Sequence, residues 1–212
     1  MNKQEIQETI DRYSNRLAEH GYSPKTLGWN KERGALRFEV FTDSWDLNGM
    51  HILDFGCGFG DLYGFLEAKD VSFKYTGIDI NEDLIKVGRE RYPKAEFICG
   101  DIFDIAFDRK FDVVLSSGVF NFKLEDNFSF IKRAFEKFDE ITKRGIGVNF
   151  LSNKVDYELD HTYHADPAEI LNLAYSIDRN VVLKNDYMPF EFSVLIRKDA
   201  KIHPEKTFYL PL

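Results

Sequence analysis

Three glycines at alternate positions, directly after an apolar run that ends in an acid, are the part of this chain most suited to chemistry. The segment reads Asp54-Phe55-Gly56-Cys57-Gly58-Phe59-Gly60. Glycines at this spacing allow the backbone to turn tightly after a strand, and without Cβ atoms they let a ligand lie against it. A helix after such a turn presents its free N–H groups and positive dipole end to that ligand. The segment therefore predicts a strand, a ligand-binding turn and a helix.

Further apolar runs downstream also end in polar residues. Asp79 ends the second run, at roughly the 20-residue distance from the glycines at which an acid accepts hydrogen bonds from a ribose diol. Asp101 follows the third run, and Ser116 follows the fourth. If these runs are parallel strands, their polar ends meet at the sheet edge where open α/β sheets bind ligands. The sequence therefore predicts one binding site built from several strand ends.

The order and spacing of these blocks resemble the class I S-adenosylmethionine (SAM)-dependent methyltransferases over roughly the central half of the chain. The resemblance implies that the glycine turn lies against the methionine part of SAM. It also implies that Asp79 binds the ribose hydroxyls, that Asp101 binds the adenine amino group, and that Ile80 and Ile102 enclose the adenine ring. The cofactor-binding residues predicted in this way are Asp54, Gly56, Cys57, Gly58, Gly60, Asp79, Ile80, Asp101, Ile102 and Ser116, with Trp29 as a candidate from the N-terminal linker.

The main alternative to a SAM site is the dinucleotide site of an NAD-dependent dehydrogenase. That site favours G-x-G-x-x-G, because its last glycine permits close packing of helix and strand beside the pyrophosphate. This chain has G-x-G-x-G instead, and Asp101 has no place in the dinucleotide pattern. The spacing favours SAM. Two structural alternatives stay open, in which Asp79 caps the next helix and Asp101 is an ordinary turn residue.

The composition restricts the partners and the compartment. The chain has 212 residues, with 28 basic and 36 acidic side chains and a formal charge of −8. It has no basic cluster of the kind that nucleic-acid phosphates require, so we expect no nucleic-acid partner. Two cysteines without metal-type spacing fit a reducing compartment. A polar N-terminus and the lack of a long apolar run lead us to expect a soluble cytoplasmic protein without a membrane partner.

The pattern of elements predicts one domain over residues 1–212. Residues 1–45 form an N-terminal helical cap with helices at 3–20 and about 31–42, and residues 46–200 form the cofactor-binding core. We expect an α/β, Rossmann-like fold of seven strands, mostly parallel, whose antiparallel last strand is implied by the resemblance. An amphipathic helix at 127–141 turns Phe128, Ile131, Phe135 and Phe138 inward. An insertion at about 151–166 follows the fifth strand.

The acceptor of the methyl group should bind between the N-terminal segment, the loop after the fourth strand and the insertion. Catalysis then consists mainly of aligning the acceptor with the methyl group and excluding water. No acid or pair of prolines follows the fourth strand, which disfavours both metal-dependent catechol chemistry and methylation of nucleobase amines. The predicted acceptor-binding residues are Arg37, Asn121, Phe122, Tyr157 and Tyr163.

Two histidines in the insertion, His161 and His164, are candidates for a general base, because neutral histidine titrates near working pH. We prefer His164, which adjoins Tyr163 and a capped helix; an ordinary polar loop is the alternative. Two histidines without a third ligand are a weak metal signal, so no metal is predicted.

The predicted function is methyl transfer to an oxygen of a small polar metabolite, such as a sugar, phosphorylated or nucleotide-activated precursor. This choice of acceptor follows only from a resemblance to small bacterial methyltransferases of surface-polysaccharide or specialised metabolism. A small amine as acceptor, a non-catalytic SAM-binding partner protein and an NAD-dependent dehydrogenase stay open as alternatives, and so does a homodimer.

Overall fold

A computed structural model describes residues 1–28 and 31–199, except for the side chains of residues 31–33. The strands in the described part are β1 (His51–Phe55), β2 (Lys74–Asp79), β3 (Glu96–Cys99), β4 (Phe111–Ser116), β5 (Thr142–Leu151), β6 (Val181–Lys184) and β7 (Glu191–Arg197). The α-helices there are α1 (Lys3–His20), α2 (Lys31–Ser44), α3 (Asp61–Ala68), α4 (Glu82–Arg91), α5 (Asn127–Ile141) and α6 (Pro167–Tyr175). A 3-10 turn, Val119–Asn121, follows β4.

The strands within the described residues form a seven-stranded sheet in the order β3-β2-β1-β4-β5-β7-β6. Neighbouring strands pair in parallel except for β7, which is antiparallel to both β5 and β6. The predicted fold class and its antiparallel last strand are therefore confirmed. Because the strand order reverses between β1 and β4, a crevice opens outside the carboxyl ends of these strands, where α/β sheets bind ligands.

The core on one face of the sheet is rich in phenylalanine. Phe150 and Phe192, from the antiparallel pair β5–β7, stack with ring centres 5.3 Å apart. Helix α5 buries Phe135 and Phe138 in the same cluster, and each buried side chain of this size contributes about 2–3 kcal/mol of transfer free energy. The predicted inward position of Phe128 was wrong. Its place on the buried face is taken by other α5 residues, namely Phe130, Ala134 and Ile141.

Helix α1 begins at a capping box, as its sequence favours. The Asn2 side chain accepts a hydrogen bond from the Glu5 N–H, and the Glu5 carboxylate accepts one from the Asn2 N–H. Asn81, at the start of α4, donates to the Ile10 carbonyl at 3.0 Å, which fixes α1 across the carboxyl edge of the sheet. No residue of α1 is fully buried, because its apolar stripe faces a cavity at that edge.

None of the helices in the described part of the chain is both long and apolar enough to cross a membrane.

Candidate active site

The glycine turn after β1 folds back onto β2. The N–H groups of Gly56 and Cys57 both donate to the Ile78 carbonyl, at 2.8 and 3.0 Å. Gly56 has a φ of +71°, and a Cβ at this position would lie 2.0 Å from a methyl carbon of Val119. Only glycine therefore fits at this position of the glycine turn, which lies directly against Val119 of the 3-10 turn on the other side of the crevice.

Asp79, at the end of β2, is joined to the glycine turn. One carboxylate oxygen accepts the Gly58 N–H at 2.9 Å, and the other accepts the Asn81 N–H at 2.9 Å. Burial raises the pKa of Asp79, and these backbone hydrogen bonds oppose that effect. The turn and the acid thus form one rigid unit that faces the crevice.

Asp54 is a second buried acid beside the turn, and only 4% of its surface is exposed. It accepts a hydrogen bond of 2.7 Å from the Tyr75 hydroxyl. Burial raises the pKa of Asp54 to about 7, the hydrogen bond from Tyr75 opposes the rise, and the charges of Asp79 and Asp61 add to it. A cation placed beside Asp54 would favour its ionised form.

The first cavity, of about 620 Å³, lies above this unit. Its wall includes seven of the predicted cofactor-binding residues, namely Asp54, Gly56, Cys57, Gly58, Asp79, Ile80 and Asp101. Four carboxyl groups line it, those of Asp54, Asp61, Asp79 and Asp101, against two guanidinium groups, those of Arg37 and Arg91. An acidic lining of this kind suits a ligand that carries positive charge.

Three other predicted cofactor-binding residues lie off this wall. Gly60 begins α3, and a Cβ there would meet the Phe97 ring at 2.7 Å, so its glycine serves packing. Ser116 is fully buried and donates to the Phe55 carbonyl at 3.1 Å. Ile102 is fully buried in the core, so its position speaks against contact with an adenine ring. Trp29, the remaining candidate, lies outside the described residues.

Residues of the N-terminal segment complete the first cavity, and the sequence analysis did not single them out. Ile6, Thr9 and Tyr13 line it from α1. From the loop at 21–28, the Tyr22 hydroxyl donates to Asp61 at 2.9 Å, and Leu27 lies against Gly58. Ile6 and Tyr13 stand at helical spacing in the sequence, but such spacing does not reveal whether an apolar stripe packs on a sheet or covers a cavity.

The second cavity, of about 520 Å³, adjoins the first. It contains five of the predicted acceptor or catalytic residues besides Arg37, namely Asn121, Phe122, Tyr157, His161 and His164. The two cavities share a wall formed by Tyr13, Leu27, Arg37, Gly118 and Phe122. Tyr163 lies outside both linings, since its ring packs against the main core and its N–H donates to the Asn121 carbonyl.

Arg37 joins α2 to the start of β7. Its guanidinium makes a two-pronged ion pair with the Glu191 carboxylate, and one of the two contacts, from Nε to Oε2, measures 2.5 Å. Both residues are buried, with 3% and 2% of their surfaces exposed. Arg37 therefore has a structural function in addition to its place in the shared wall.

The two histidines of the insertion differ in their surroundings. His164 Nδ1 lies 2.8 Å from the Ser152 carbonyl, and its Nε2 lies 3.1 Å from the Thr162 hydroxyl, so both ring nitrogens are engaged. His161 is exposed, and its ring centre lies 6.4 Å from that of Phe122 in the shared wall. Its ring nitrogens have no hydrogen-bond partner among residues 1–28 and 31–199. No cluster of potential metal ligands occurs in those ranges.

Fold, glycine turn and strand-end acids together define a Rossmann-like methyltransferase. A family model described as a methyltransferase domain matches residues 52–145. The chain belongs to the SAM-dependent methyltransferases. A candidate methyltransferase of Mycobacterium tuberculosis (strain ATCC 25618 / H37Rv) is 31% identical over 159 residues, which cover 69% of this chain and 92% of that protein.

Other similar proteins differ in what their names say they act on. A fatty-acid O-methyltransferase of Mycolicibacterium smegmatis is 39% identical over 74 residues, 34% of this chain and 27% of its own. A magnesium protoporphyrin IX methyltransferase from Synechocystis PCC 6803, solved with SAM, has a TM-score of 0.65 at 13% identity, with 91% and 96% of the two chains covered. A DhpI complex with SAM and HEP has a TM-score of 0.69 at 15% identity, with 92% and 98% covered. These two structures share the fold.

Proposed function

We propose that this methyltransferase transfers the methyl group of SAM to an oxygen atom of a small acceptor bound in the second cavity. The observation that supports this proposal is the wall that the two cavities share. A cofactor in the acidic first cavity and an acceptor in the second would meet at Tyr13, Leu27 and Phe122. Holding two reactants in this way supplies most of what a methyl transfer requires.

The residues of the first cavity fit SAM. The two carboxylate oxygens of Asp79 retain lone pairs for ribose hydroxyls after accepting their backbone N–H groups, and Asp54 can balance an ammonium group. Asp101 lines the same cavity and would accept a hydrogen bond from the adenine amino group, as the family resemblance implies. Bound SAM supplies a methyl group already activated by its positively charged sulfur.

We propose His161 as the general base, in preference to His164. An alcohol needs a partner that removes its proton as the new bond to carbon forms. His161 faces the second cavity with free ring nitrogens, whereas His164 is held by Ser152 and Thr162. His164 would then orient the insertion, and Asn121, whose buried side-chain oxygen has no hydrogen-bond partner in the described structure, would accept a hydrogen bond from the acceptor.

The acceptor class is a separate part of the proposal. The sugar, phosphorylated or nucleotide-activated precursor expected from the sequence stays a prediction. The second cavity has many apolar wall residues, such as Leu151, Val155, Pro189 and Phe190, which favours an acceptor with an apolar part beside its polar groups. The cytoplasmic location and the homodimer also stay predictions.

The cofactor site is tested by thermal unfolding with S-adenosylhomocysteine (SAH), SAM and NAD in parallel. A ligand at a hundredfold its dissociation constant adds about 2.7 kcal/mol to the free energy of unfolding if it binds only the folded chain. Stabilisation by SAH and SAM but not NAD is expected. Stabilisation by NAD alone would support the dehydrogenase alternative.

Catalysis is tested by measuring SAH release from SAM with a panel of hydroxyl, carboxylate and amine acceptors. With the best acceptor, we expect His161→Gln to lower kcat about 10²–10⁴-fold. His164→Gln should have a smaller effect. His20→Gln, on α1, is the matched control. Full activity of His161→Gln would remove the proposed base, and SAM binding without turnover would support the non-catalytic alternative.

A further inference from the structure

We infer that the acceptor carries an anionic group, a carboxylate or a phosphate, which binds to Arg16 of α1, with the guanidinium of Arg12 adding positive charge nearby. This inference rests on the proposed function, because it assigns the second cavity to the acceptor. The anionic group is a binding group distinct from the oxygen that receives the methyl group.

The guanidinium of Arg12 lies beside the shared wall, and one of its nitrogens has no hydrogen-bond partner in the described part of the chain. Its central carbon lies 4.1 Å from the centre of the Phe122 ring. Its Nη1 is buried and has no hydrogen-bond partner within the described ranges. Arg12 lines neither cavity, so it acts on a ligand in the second cavity through its positive charge, from behind the Phe122 ring of the shared wall.

Arg16 lies one helical turn further along α1 and lines the second cavity but not the first. One of its N–H groups donates to the Lys25 carbonyl, which holds the guanidinium against Gly28. Neither Arg12 nor Arg16 forms an ion pair with a carboxylate of residues 1–28 or 34–199. Their positive charges are therefore available to a ligand.

Both arginines act on the same point of the cavity wall. Burial raises the pKa of the Tyr13 phenol, Asp79 raises it further, and the charges of Arg16 and Arg12 lower it. Tyr13 belongs to the shared wall, so both positive charges lie near the region where the cavities meet, and Arg16 also lines the second cavity.

The other charged residues of the second cavity are largely balanced. Arg37 is paired with Glu191, and Lys154 is paired with Asp166 at 2.8 Å. Asp156 is exposed to solvent. In a chain with a formal charge of −8, this cavity thus offers an anion the guanidinium of Arg16, with that of Arg12 behind Phe122, while carboxyl groups outnumber guanidinium groups on the wall of the first cavity.

The test uses the SAH-bound protein and three probes of equal chain length, hexanoate, hexyl phosphate and hexanol, titrated by calorimetry. We expect at least one of the two anions to bind about tenfold or more tightly than hexanol, since charge-assisted hydrogen bonds exceed neutral ones. The advantage should shrink at high salt. The two anions compared with each other identify the carboxylate or the phosphate as the preferred group.

Variants assign the effect to the arginines. Arg16→Gln should remove most of the anion preference and Arg12→Gln a smaller part of it, while SAH affinity stays within about twofold in both variants. Arg16→Lys should keep part of the preference that Arg16→Gln loses. Arg133→Gln is the matched control for Arg12→Gln, because this arginine also stacks on a phenylalanine, Phe103, at 4.3 Å, but Phe103, unlike Phe122, lines neither cavity.

Two outcomes would overturn the inference. The first is equal binding of hexanol and both anions to the SAH complex. The second is a tenfold loss of SAH affinity in Arg16→Gln, which would assign the arginine to the carboxylate of the cofactor. Failure of SAH to bind the unmodified protein would instead contradict the proposed function.

Discussion

At the residue scale, Asp54 combines a structural cost with a binding function. Its pKa is about 7 in the folded chain against 3.8 for the free side chain. Below both values Asp54 is neutral in either state. Between them the unfolded chain loses the proton first, so the folded chain is progressively destabilised as the pH rises. Above pH 7 this penalty is complete and amounts to roughly 4 kcal/mol.

We therefore expect Asp54→Asn to raise the free energy of unfolding of the ligand-free protein at pH 8, with a smaller gain at pH 5. Asparagine can still accept the hydrogen bond from Tyr75. The same substitution should weaken SAM binding, since it removes the carboxylate that we propose as the partner of the ammonium group. Urea unfolding at both pH values and calorimetry with SAM measure the two effects. Equal gains at the two pH values, or a gain in the exposed control Asp186→Asn, would contradict this account.

Gly60 tests the distinction between packing and ligand contact in the glycine turn. Gly60→Ala introduces a side chain at a φ of +78° and 2.7 Å from the buried Phe97 ring. The backbone strain costs about 1–2 kcal/mol and the overpacking about 1–3 kcal/mol. Gly49→Ala, at a φ of +72° with nothing within 4 Å, should show only the first cost in denaturant unfolding. Equal losses in the free energy of unfolding of the two variants would mean that the Phe97 ring can move aside without destabilising the protein.

At the scale of elements, the Arg37–Glu191 pair holds α2 against β7. Removing one partner leaves a buried charge without its counterion, which typically costs 3–5 kcal/mol. We expect Arg37→Met and Glu191→Leu each to lower the free energy of unfolding by about this amount, and we expect the double variant to be more stable than either single variant. A double-mutant cycle by urea unfolding measures this coupling. If the losses in free energy of the two single variants added up in the double variant, Arg37 and Glu191 would not stabilise each other, and the surrounding contacts alone would hold them in place.

The helices also differ in how far their patterns determined their position. Helix α5 was predicted at 127–141 and observed at Asn127–Ile141, because its apolar stripe has one large surface to cover, the sheet. The assignment of Phe128 failed within it, since the buried face is centred on Phe130, Ala134 and Phe138, and the helical rotation of 100° per residue leaves Phe128 at the edge of that face. Helix α1 was also found at its predicted range, but its stripe faces a cavity.

At the scale of the whole molecule, the formal charge of −8 and the acidic lining of the first cavity should attract a cationic cofactor. We expect the association rate of SAM to fall several-fold as the ionic strength rises from about 20 to about 500 mM, because salt screens long-range attraction. SAH lacks the sulfonium charge and serves as the control in the same stopped-flow experiment. Equal salt dependence for both ligands would exclude steering by the net charge.

The sequence by itself determined the fold class and the centre of the cofactor site. Both depend on local order along the chain, that is, on apolar runs of strand length, on a turn that needs glycine, and on acids at the ends of strands that must lie at one edge of a parallel sheet. Gly56, Gly58, Asp79 and Asp101 were found on the cavity wall for this reason.

Only the tertiary structure decided which neighbours of these residues face the cavity and how the second cavity is built. Ile102 and Gly60 both stand at the expected positions in the sequence. However, the side chain of Ile102 is buried in the core, and the space beside Gly60 is filled by the Phe97 ring. The pairing of Arg37 with Glu191 joins residues 154 positions apart. Such contacts depend on how helices and loops pack over the sheet, and the spacing of residues along one element carries no information about that packing.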